Sequence, residues 1–316
     1  MYASVDLGGT TIACALASAD GRIVAERSIP TQSSDGPQKV LARIGGLVLE
    51  LAAVAGKPIA LGIGVSGLVD RERGRTRFLP NLPTQWRDVA VAETLSRQIG
   101  CAVHVLNDAR LATLGELVFG HGRTVRSMLL FTLGTGVGGG VVIDGKLRLG
   151  KLGAAGEIGH QTIVPDGLRC GCGNHGCLET LASGPALTAE GVRLMKTGLA
   201  PRLHEIARGE ASAVGPKEMA MAAATGDDNV REAIVRAARY LGIGAANLVS
   251  ALHPELVVLS GGMAAIGDLL VDTVRAEMRD RVRMFPADDV RVERSMLEDK
   301  AGVWGGIALA MRGGAT

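Results

Sequence analysis

The chain alternates between short apolar runs bounded by glycine, proline or aspartate and longer stretches with apolar residues at helical spacing. The short runs predict buried strands, and the longer stretches predict amphipathic helices. The predicted strands are Tyr2–Leu7, Ile12–Ser18, Arg22–Ile29, Ile59–Val65, Ala102–Leu106, Ser127–Leu133, Val141–Ile143, Lys146–Leu149, Glu255–Leu259 and Val290–Arg294. The predicted helices are Gly36–Val54, Val89–Ile99, Ala109–Phe119, Pro185–Lys196, Pro201–Ala207, Pro216–Ala224, Asp227–Leu252, Met263–Arg281 and Ala301–Met311. Ser66–Thr84, rich in glycine, proline and arginine, predicts a solvated loop.

One pattern occurs twice along the chain. A strand, a glycine-rich turn, a strand, a second turn and a third strand are predicted at Tyr2–Ile29 and again at Ser127–Leu149. The repetition predicts two domains of similar topology, and 316 residues is a length that favours two domains over one. We place the smaller α/β domain at 1–106 and the larger at 107–300, and we expect the closing helix within 301–316 to pack back on the first.

Composition excludes several classes of protein. The formal net charge is +2 and aromatic residues make up 3%, which argues against a nucleic-acid partner. The N-terminal MYASVDLGGT has no basic region followed by an apolar run, so no signal peptide is expected. Apolar stretches such as Ala301–Met311 are too short to span a bilayer, so no membrane partner is expected either. Five cysteines, three of them clustered, indicate a cytoplasmic protein with a metal site.

Two glycine-rich turns follow predicted buried strands. The second formally matches a dinucleotide fingerprint, but a strand and not a helix comes next, so we reject that interpretation. Glycines still let backbone N–H groups approach phosphate oxygens closely, although a hairpin without a ligand is the alternative. Asp6, near the end of the first strand, could meet Mg²⁺ through water. The candidate phosphate-binding residues are Gly8, Gly9, Thr10, Thr11, Gly134, Thr135 and Gly136.

Asn107 and Asp108 stand at the carboxyl end of a predicted buried strand, where α/β proteins place ligands. A carboxylate there is a candidate general base for a reacting hydroxyl. The alternative is that one of the two merely caps the helix predicted from Ala109.

Cys170, Cys172 and Cys177 lie within eight positions, separated by glycines, and predict one tetrahedral metal ion. A fourth ligand is needed, and His160 or His175 could supply it. A site closed by four protein ligands is structural zinc, without a catalytic water. Free buried thiols are the alternative, but the segment is too polar for a core.

Two carboxylates, Glu157 and Glu179, flank this cysteine segment. A pair of carboxylates could serve glycoside hydrolysis, but carboxylates also bind sugar hydroxyls. The phosphate-type turns favour a kinase.

The chain resembles the ROK family of sugar kinases and sugar-responsive repressors, which has the actin/hexokinase-type ATPase fold. The resemblance runs end to end, and its most specific motifs are GAAGEIGH and the cysteine segment. The matching stretches are DLGGT at 6–10, Asn107-Asp108, LGTGVGGG at 133–140, GAAGEIGH at 153–160, CGCGNHGCLE at 170–179 and PELVVLSGG at 254–262.

The resemblance implies an α/β fold with two actin-like (RNase H-like) ATPase domains around a central cleft, with a zinc-binding loop. It implies that Asp108 activates a sugar 6-hydroxyl, and that structural Zn²⁺ and Mg²⁺ with ATP are the cofactors. The implied sugar-binding residues are Asn107, Glu157, His160 and Glu179, with Gly67 lining the pocket. Gly9, Thr10, Thr135 and Gly136 are implied to cradle phosphates, with Gly261 and Gly262 near adenosine. The implied zinc ligands are His160, Cys170, Cys172 and Cys177.

The function implied by the resemblance is an ATP:hexose 6-phosphotransferase, with glucokinase expected first. N-acetylmannosamine or N-acetylglucosamine kinase is the alternative, polyphosphate is an alternative donor, and a homodimer or tetramer is implied. A repressor is disfavoured because the first predicted strand begins at Tyr2, which leaves no room for a DNA-binding domain. A catalytically inactive sugar-binding protein is disfavoured because Asp108 and both glycine turns are retained.

Three positions depart from the common family pattern. Arg110 stands where asparagine is frequent, Ser66 stands where proline is usual before Gly67, and a third glycine is often found where the chain has Ser260. Because Ser66 and Gly67 could line the sugar pocket, the departure there leaves the sugar unassigned.

Overall fold

A computed structural model describes residues 1–79 and 82–316. The chain divides into two compact units. Unit 1 comprises Met1–Arg126, Gly140–Gly156 and Asp299–Thr316, and unit 2 comprises Ser127–Gly139 and Glu157–Glu298. The border by contacts thus falls later than the sequence-based boundary after Leu106, because the helix that follows stays with the first unit.

Unit 1 is built on a five-stranded sheet. Its strands are β1 (Tyr2–Leu7), β2 (Thr11–Ala17), β3 (Ile23–Pro30), β4 (Ala60–Val65) and β7 (Ala102–Asn107), in the order β3-β2-β1-β4-β7. β1 pairs antiparallel with β2 and parallel with β4, which pairs parallel with β7. The carboxyl ends of β1, β4 and β7 therefore meet at one edge of the sheet, with Asp6 near the end of β1 and Asn107 at the end of β7.

Helices cover the sheet of unit 1. They are α1 (Pro37–Ala55), α2 (Val91–Ile99), α3 (Asp108–Phe119) and, after all of unit 2 in the chain, α10 (Ala301–Met311). α10 contacts β1, β4 and α3. Its glycines make this close approach possible: a Cβ at Gly305 would overlap the Leu111 carbonyl, and one at Gly306 would overlap Ser4.

A second five-stranded sheet repeats the order of the first. Its strands are β8 (Met128–Leu133), β9 (Val137–Ile143), β10 (Lys146–Arg148), β11 (Leu256–Ser260) and β12 (Arg291–Arg294), in the order β10-β9-β8-β11-β12. β8, β11 and β12 pair in parallel. The internal repetition predicted from the sequence is therefore present in the strand order.

The helices of unit 2 come in one long stretch of chain. They are α4 (Leu178–Ala182), α5 (Gly184–Lys196), α6 (Pro201–Ile206), α7 (Pro216–Ala224), α8 (Asp228–Leu252) and α9 (Asp268–Arg281). The buried face of α8 includes Ile234, Leu241 and Val249. α8 packs against α9, α7 and α5, so it is the central helix of the unit.

The loop predicted at Ser66–Thr84 is wrong in its described part, and its residues 80 and 81 lie outside the described residues. β5 (Leu68–Asp70) and β6 (Arg75–Phe78) form an antiparallel hairpin. Val69 and Thr76 are buried, while Arg77 pairs with Asp70 on the exposed side. The arginines therefore occupy the polar face of a half-buried ribbon, which the composition alone did not reveal.

Two predicted elements differ in their bounds. The helix predicted from Met263 is a 3₁₀ helix, Gly262–Ile266, and then α9, because Gly267 interrupts it with φ of 88°. β9 begins at Val137, so Gly138 to Gly140 form a strand where a turn was predicted. A Cβ at Gly139 would overlap Ile158, and one at Gly140 would overlap Thr113, so these glycines serve close packing.

None of the helices in residues 1–79 and 82–316 combines the length and the apolar character that crossing a membrane requires.

Candidate active site and metal centre

Asp108 is the first residue of α3 and follows β7 directly. Its Oδ2 accepts a hydrogen bond from the Ser66 hydroxyl at 2.6 Å, and its Oδ1 accepts one from the Ala109 backbone N–H at 2.8 Å. The side chain is only partly buried. A carboxylate held on both oxygens but open to solvent is suited to accepting a proton from a ligand hydroxyl.

Asp6 lies beside Asp108 because the strands bring them together. Asp6 pairs with Gly64 across β1 and β4, and a Cβ at Gly64 would lie 3.5 Å from Asp6 Oδ1 and 3.4 Å from Asp108 Cα. From α10, a Cβ at Gly302 would overlap Asp6 Oδ2. Burial and the nearby Asp108 charge raise the pKa of Asp6 to about 7. Gly302 thus makes room for a carboxyl group that resists ionisation.

Asn107 caps α3, as one sequence alternative proposed. Its Oδ1 accepts from the Arg110 backbone N–H at 3.1 Å, and its Nδ2 donates to the Gly67 carbonyl at 3.2 Å. Capping concerns Asn107 and leaves the Asp108 side chain for other contacts. A Cβ at Gly67 would overlap the Phe78 carbonyl, and φ there is 149°, so glycine is required.

The first glycine turn, between β1 and β2, is closed by backbone hydrogen bonds. Gly8 N–H donates to the Thr11 carbonyl at 2.9 Å, and Thr31 donates through its hydroxyl to the Gly8 carbonyl at 2.8 Å. Gly9 is partly exposed, while Thr10 and Thr11 are exposed. Unit 1 thus gathers this turn, Asp6, Gly67, Asn107 and Asp108, whose strands end at one edge of its sheet.

The second glycine turn, in unit 2, rests on Glu179. Val137 N–H donates to Glu179 Oε2 at 3.0 Å, and a Cβ at Gly136 would overlap that same oxygen. Gly134 N–H closes the turn on the Gly136 carbonyl at 3.0 Å, which leaves Thr135 exposed at its tip. Glu179 is carried by α4, a helix that the sequence did not predict.

Gly261 follows β11 in unit 2. Its φ is 88°, and a Cβ there would lie 2.6 Å from the Leu133 carbonyl oxygen, so no other residue fits without a shift of the backbone. Gly262 begins the 3₁₀ helix and has open space around its Cα. An open, side-chain-free surface at the end of a parallel strand is where α/β sheets receive ligands.

The three clustered cysteines and His160 come together in unit 2. Their four donor atoms all lie within 4.8 Å of one another. Cys172 Sγ is 3.7 Å from Cys177 Sγ, and Cys170 Sγ is 3.6 Å from His160 Nδ1. Tetrahedral zinc, with ligand distances of about 2.3 Å to sulfur and about 2.1 Å to nitrogen, sets edges of about 3.8 Å and about 3.6 Å. The donor set fits zinc, and it contains His160 and not His175.

The thiols of the cluster carry an electrostatic penalty when they are alone. Burial, followed by hydrogen bonding to the Cys172 and Cys170 sulfurs, raises the pKa of the Cys177 thiol to about 12. Burial also raises the pKa of Cys170. For Cys172, burial is outweighed by hydrogen bonds with the Asn174 backbone and with the neighbouring sulfurs, and its pKa is lowered. Cys170 and Cys177 therefore resist ionisation, and a bound divalent metal would release the protons of these thiols.

His160 links the metal centre to Glu157. With Nδ1 facing the thiols, Nε2 lies 3.8 Å from Glu157 Oε2, and both side chains are about one-third exposed. On the other side, Glu179 Oε1 lies 3.8 Å from Cys170 Sγ. The cluster thus holds the ring of His160 in one orientation and leaves its second nitrogen on the accessible side.

Ser66 and Arg110, which stand out in the sequence only because they depart from the common family pattern, contribute to the site of unit 1. Ser66 donates to Asp108, and the buried Arg110 donates from its Nη1 to Asn107 Oδ1 at 3.1 Å. Neither contact could be read from the sequence, because the residue types are ordinary and only the fold brings them to their partners.

Comparison with known proteins identifies the family. A sequence model of the ROK family matches residues 2–312. This chain belongs to the ROK family. The resemblance inferred from the motifs is thereby confirmed, and with it the α/β, actin-like ATPase class of fold.

This ROK protein is similar to both enzymes and regulators. It is 36% identical to a glucokinase of Streptomyces coelicolor over 315 residues, covering 97% of this chain and 96% of the relative. A ROK glucokinase of Streptomyces griseus, solved with glucose and AMPPNP, superposes with a TM-score of 0.88 at 33% identity, covering 98% and 99% of the two chains. A xylose repressor of Caldicellulosiruptor bescii is 31% identical, with 97% of this chain covering 77% of the repressor.

Proposed function

We propose that this ROK protein is a sugar kinase that transfers the γ-phosphoryl group of ATP to the 6-hydroxyl of a hexose, with glucose as the expected substrate. The observation that carries the proposal is the geometry at Asp108, whose partly exposed carboxylate is held by Ser66 at the edge of the unit 1 sheet. Glucokinase relatives that match almost the whole chain support glucose as the sugar.

Asp108 acts as the general base. As the sugar 6-oxygen forms a bond to the γ-phosphorus, its proton moves to the Asp108 carboxylate, and the bond from that phosphorus to the bridging oxygen breaks to release ADP. The N–H of Ala109 and the hydroxyl of Ser66 fix the direction of the carboxylate. This is catalysis by positioning and electrostatics, the mode expected for phosphoryl transfer.

The sugar-binding residues of this proposal are Asn107, Gly67, Glu157, His160 and Glu179, as the family resemblance implies. Glu157 and the Nε2 of His160, 3.8 Å from Glu157 Oε2, offer an acceptor and a second polar group on the exposed side of the metal centre. Such pairs of groups suit neighbouring hydroxyls on a pyranose ring.

The phosphates of ATP are bound by the two glycine turns, and Gly261 and Gly262 receive the adenosine. Mg²⁺ bound with the nucleotide would neutralise phosphate charge, and Asp6 would help to hold it through water. Because the pKa of Asp6 is raised, a nearby cation would favour its ionised form. The phosphate-binding residues of this proposal are Gly8, Gly9, Thr10, Thr11, Gly134, Thr135 and Gly136.

Structural zinc is held by His160, Cys170, Cys172 and Cys177. The ion supplies positive charge that stabilises the thiolates and fixes the tautomer of His160. A homodimer, as implied by the family resemblance, is part of the proposal for the protein in solution.

The test is ADP release, in the presence of Mg²⁺, with glucose, mannose, fructose, allose, N-acetylglucosamine and N-acetylmannosamine as acceptors. We expect kcat/KM to be highest for glucose, and the Asp108→Asn variant is the matched control for contaminating kinases. A preference for an N-acetyl sugar would replace glucokinase with the N-acetylhexosamine alternative. If ATP and polyphosphate are both inactive with every sugar, the kinase proposal fails. Sugar binding without turnover would then point to a sensor, as in the repressor relative.

A further inference from the structure

We infer that Arg110 is a positioning residue that locks the Asn107 amide with its N–H side toward the ligand and ties it to the segment preceding Glu157. The inference rests on the proposed function for its consequence in catalysis, but its structural content does not. Arg110 is almost fully buried, with 1% of its surface exposed, on the first turn of α3.

The orientation of the Asn107 amide follows from its neighbours. The Arg110 backbone N–H and the guanidinium Nη1 both lie 3.1 Å from Asn107 Oδ1, and both can only donate. The Gly67 carbonyl, 3.2 Å from Nδ2, can only accept. A flipped amide would face two donors with its own N–H groups and a carbonyl with its oxygen, so the observed orientation is the one that satisfies all three partners.

This arrangement decides what Asn107 can offer. Both lone pairs of Oδ1 are occupied, and one Nδ2 hydrogen is used by Gly67, so a single N–H remains to meet a ligand. A sugar hydroxyl at this point must accept from Asn107, and its own proton is then directed to another acceptor. The adjacent residue, Asp108, is such an acceptor. Without the guanidinium, one lone pair of Oδ1 loses its donor and becomes open to a ligand, so that Asn107 could also accept, while the backbone N–H at position 110 and the Gly67 carbonyl still favour the same orientation.

The other edge of the guanidinium holds a second segment of unit 1. Nε donates to the Ala155 carbonyl at 2.9 Å, and Nη2 donates to the Ala154 carbonyl at 3.1 Å. This segment is flanked by Gly153 and Gly156, with φ of 75° and 94°, so its own sequence restrains it weakly. Glu157 follows directly in the chain. One buried guanidinium therefore restrains both Asn107 and the backbone that leads into Glu157.

Lysine could not replace this function. The planar fork of arginine donates in three directions at fixed angles, whereas an ammonium group is a point charge on a flexible stem. Asparagine, which is frequent at this position among family kinases, is too short to bridge from α3 to Ala154 and Ala155 by the same contacts. We therefore regard Arg110 as a device of this chain for the orientation of its sugar ligands.

The first test compares Arg110→Met and Arg110→Lys with Arg71→Met as a matched control. Arg71 also donates to a backbone carbonyl in unit 1, that of Gly314 at 2.8 Å. With glucose, or with the panel sugar of highest kcat/KM, we expect Arg110→Met to raise the sugar KM about tenfold, as for a lost charged hydrogen bond. The KM for ATP should change less than about twofold. Arg110→Lys should fall between, and Arg71→Met should match the wild type.

A double-mutant cycle tests whether Arg110 acts through Asn107. In an Asn107→Ala background, Arg110→Met should raise the sugar KM clearly less than it does in the wild type, because the amide that it orients is gone. Equal fold-changes in the two backgrounds would overturn the orientation of Asn107 as the role of Arg110.

Hydrogen exchange separates this inference from the proposed function. Peptides covering residues 153–157 should exchange about tenfold faster in Arg110→Met than in Arg71→Met, whether or not the wild type is a kinase. Unchanged exchange overturns the inference even if glucose is phosphorylated, whereas faster exchange in an enzyme inactive on every sugar leaves only the kinase proposal refuted. If Arg110→Met does not fold, Arg110→Lys carries the same comparison.

Discussion

Two clusters of acidic groups differ in how they are stabilised. The carboxylate cluster of unit 1 consists of Asp6 and Asp108, and the thiol cluster of unit 2 consists of Cys170, Cys172 and Cys177. Asp108 receives hydrogen bonds from Ser66 and from its own helix, so the chain itself provides its donors. The cysteines face one another and His160, and their thiols repel in the ionised state. The first cluster is organised by hydrogen bonds within the protein, whereas the second presents four donor atoms whose spacing fits a metal cation.

The comparison teaches how each cluster is encoded. The thiol cluster is local in sequence, because the loop needs only short spacing and glycines to fold around an ion. The carboxylate cluster depends on strands that are distant in sequence and on a glycine that leaves room for a side chain, as Gly302 does for Asp6. We therefore expect the thiol cluster to be sensitive to the loss of a metal ion, and the carboxylate cluster to be sensitive to changes in the packing of the sheet and helices.

The largest effect is expected from Asp108→Asn. Loss of the general base should lower kcat by about 10³-fold, while the affinity for glucose, measured by calorimetry, changes little. This outcome would confine the chemistry to unit 1. If kcat falls less than about tenfold, Asp108 is not the base.

Removal of the metal should have the next largest effect. Inductively coupled plasma mass spectrometry should find about one zinc ion per chain in the purified protein. The Cys177→Ser variant should lack this zinc. The variant should have a lower melting temperature than the wild type and a lower affinity for glucose, because the metal no longer fixes the ring of His160. Asp108 is unaltered in this variant. Cys14→Ser, a change at a buried cysteine outside the cluster, is the control for metal content. A full complement of zinc in Cys177→Ser would refute the ligand set.

Asp6→Asn should stabilise the protein at alkaline pH when Mg²⁺ and ATP are absent. The pKa of Asp6 in the folded protein is raised to about 7 from an ordinary value of 3.8. The protonated carboxyl group therefore makes its full contribution to the stability of the folded protein below pH 3.8. That contribution is lost as the pH rises through 7. Without Mg²⁺ and ATP, the melting temperature of Asp6→Asn relative to wild type should therefore be higher at pH 8 than at pH 5 by about 3 °C. An equal difference at both values would contradict the raised pKa.

The smallest effect is expected from Ser66→Ala. The variant removes one hydrogen bond from Asp108 but leaves the Ala109 N–H in place, so kcat should fall about three- to tenfold, the effect of one hydrogen bond of ordinary strength. Steady-state kinetics with glucose would measure this change, and Ser66→Thr, which retains the hydroxyl, should recover part of the loss. Wild-type kinetics in Ser66→Ala would show that unit 1 organises Asp108 without this donor.

The sequence predicted most of the strands and helices because their limits are marked by local residues. Pro216–Ala224 and Ala301–Met311 begin and end where glycine, proline and polar residues predicted. The β5–β6 hairpin was missed because arginines paired with Asp70 and Asp88 resemble a solvated loop. The interruption at Gly267 was missed because glycine is also tolerated inside helices.

The metal centre was more predictable than the carboxylate cluster. Three cysteines within eight positions indicated an ion directly, and His160 joins them as the family resemblance implied. The contact from Ser66 to Asp108 spans 42 positions, and the contact from Arg110 to Ala154 spans 44. Hydrogen bonds of that kind arise from the fold, and no local pattern signals them. Their residues were noticed only because they depart from a family pattern.

The origin of α10 has a consequence for how the protein is made. This helix follows Glu298, the last residue of unit 2, yet it packs against β1, β4 and α3 of unit 1. During synthesis, β1 leaves the ribosome early, but it cannot pack against α10 until unit 2 has been translated. Unit 2, formed almost entirely from one later stretch, can close first. The packing around Asp6, which includes Gly302 of α10, is therefore completed only after the whole of unit 2 has been translated.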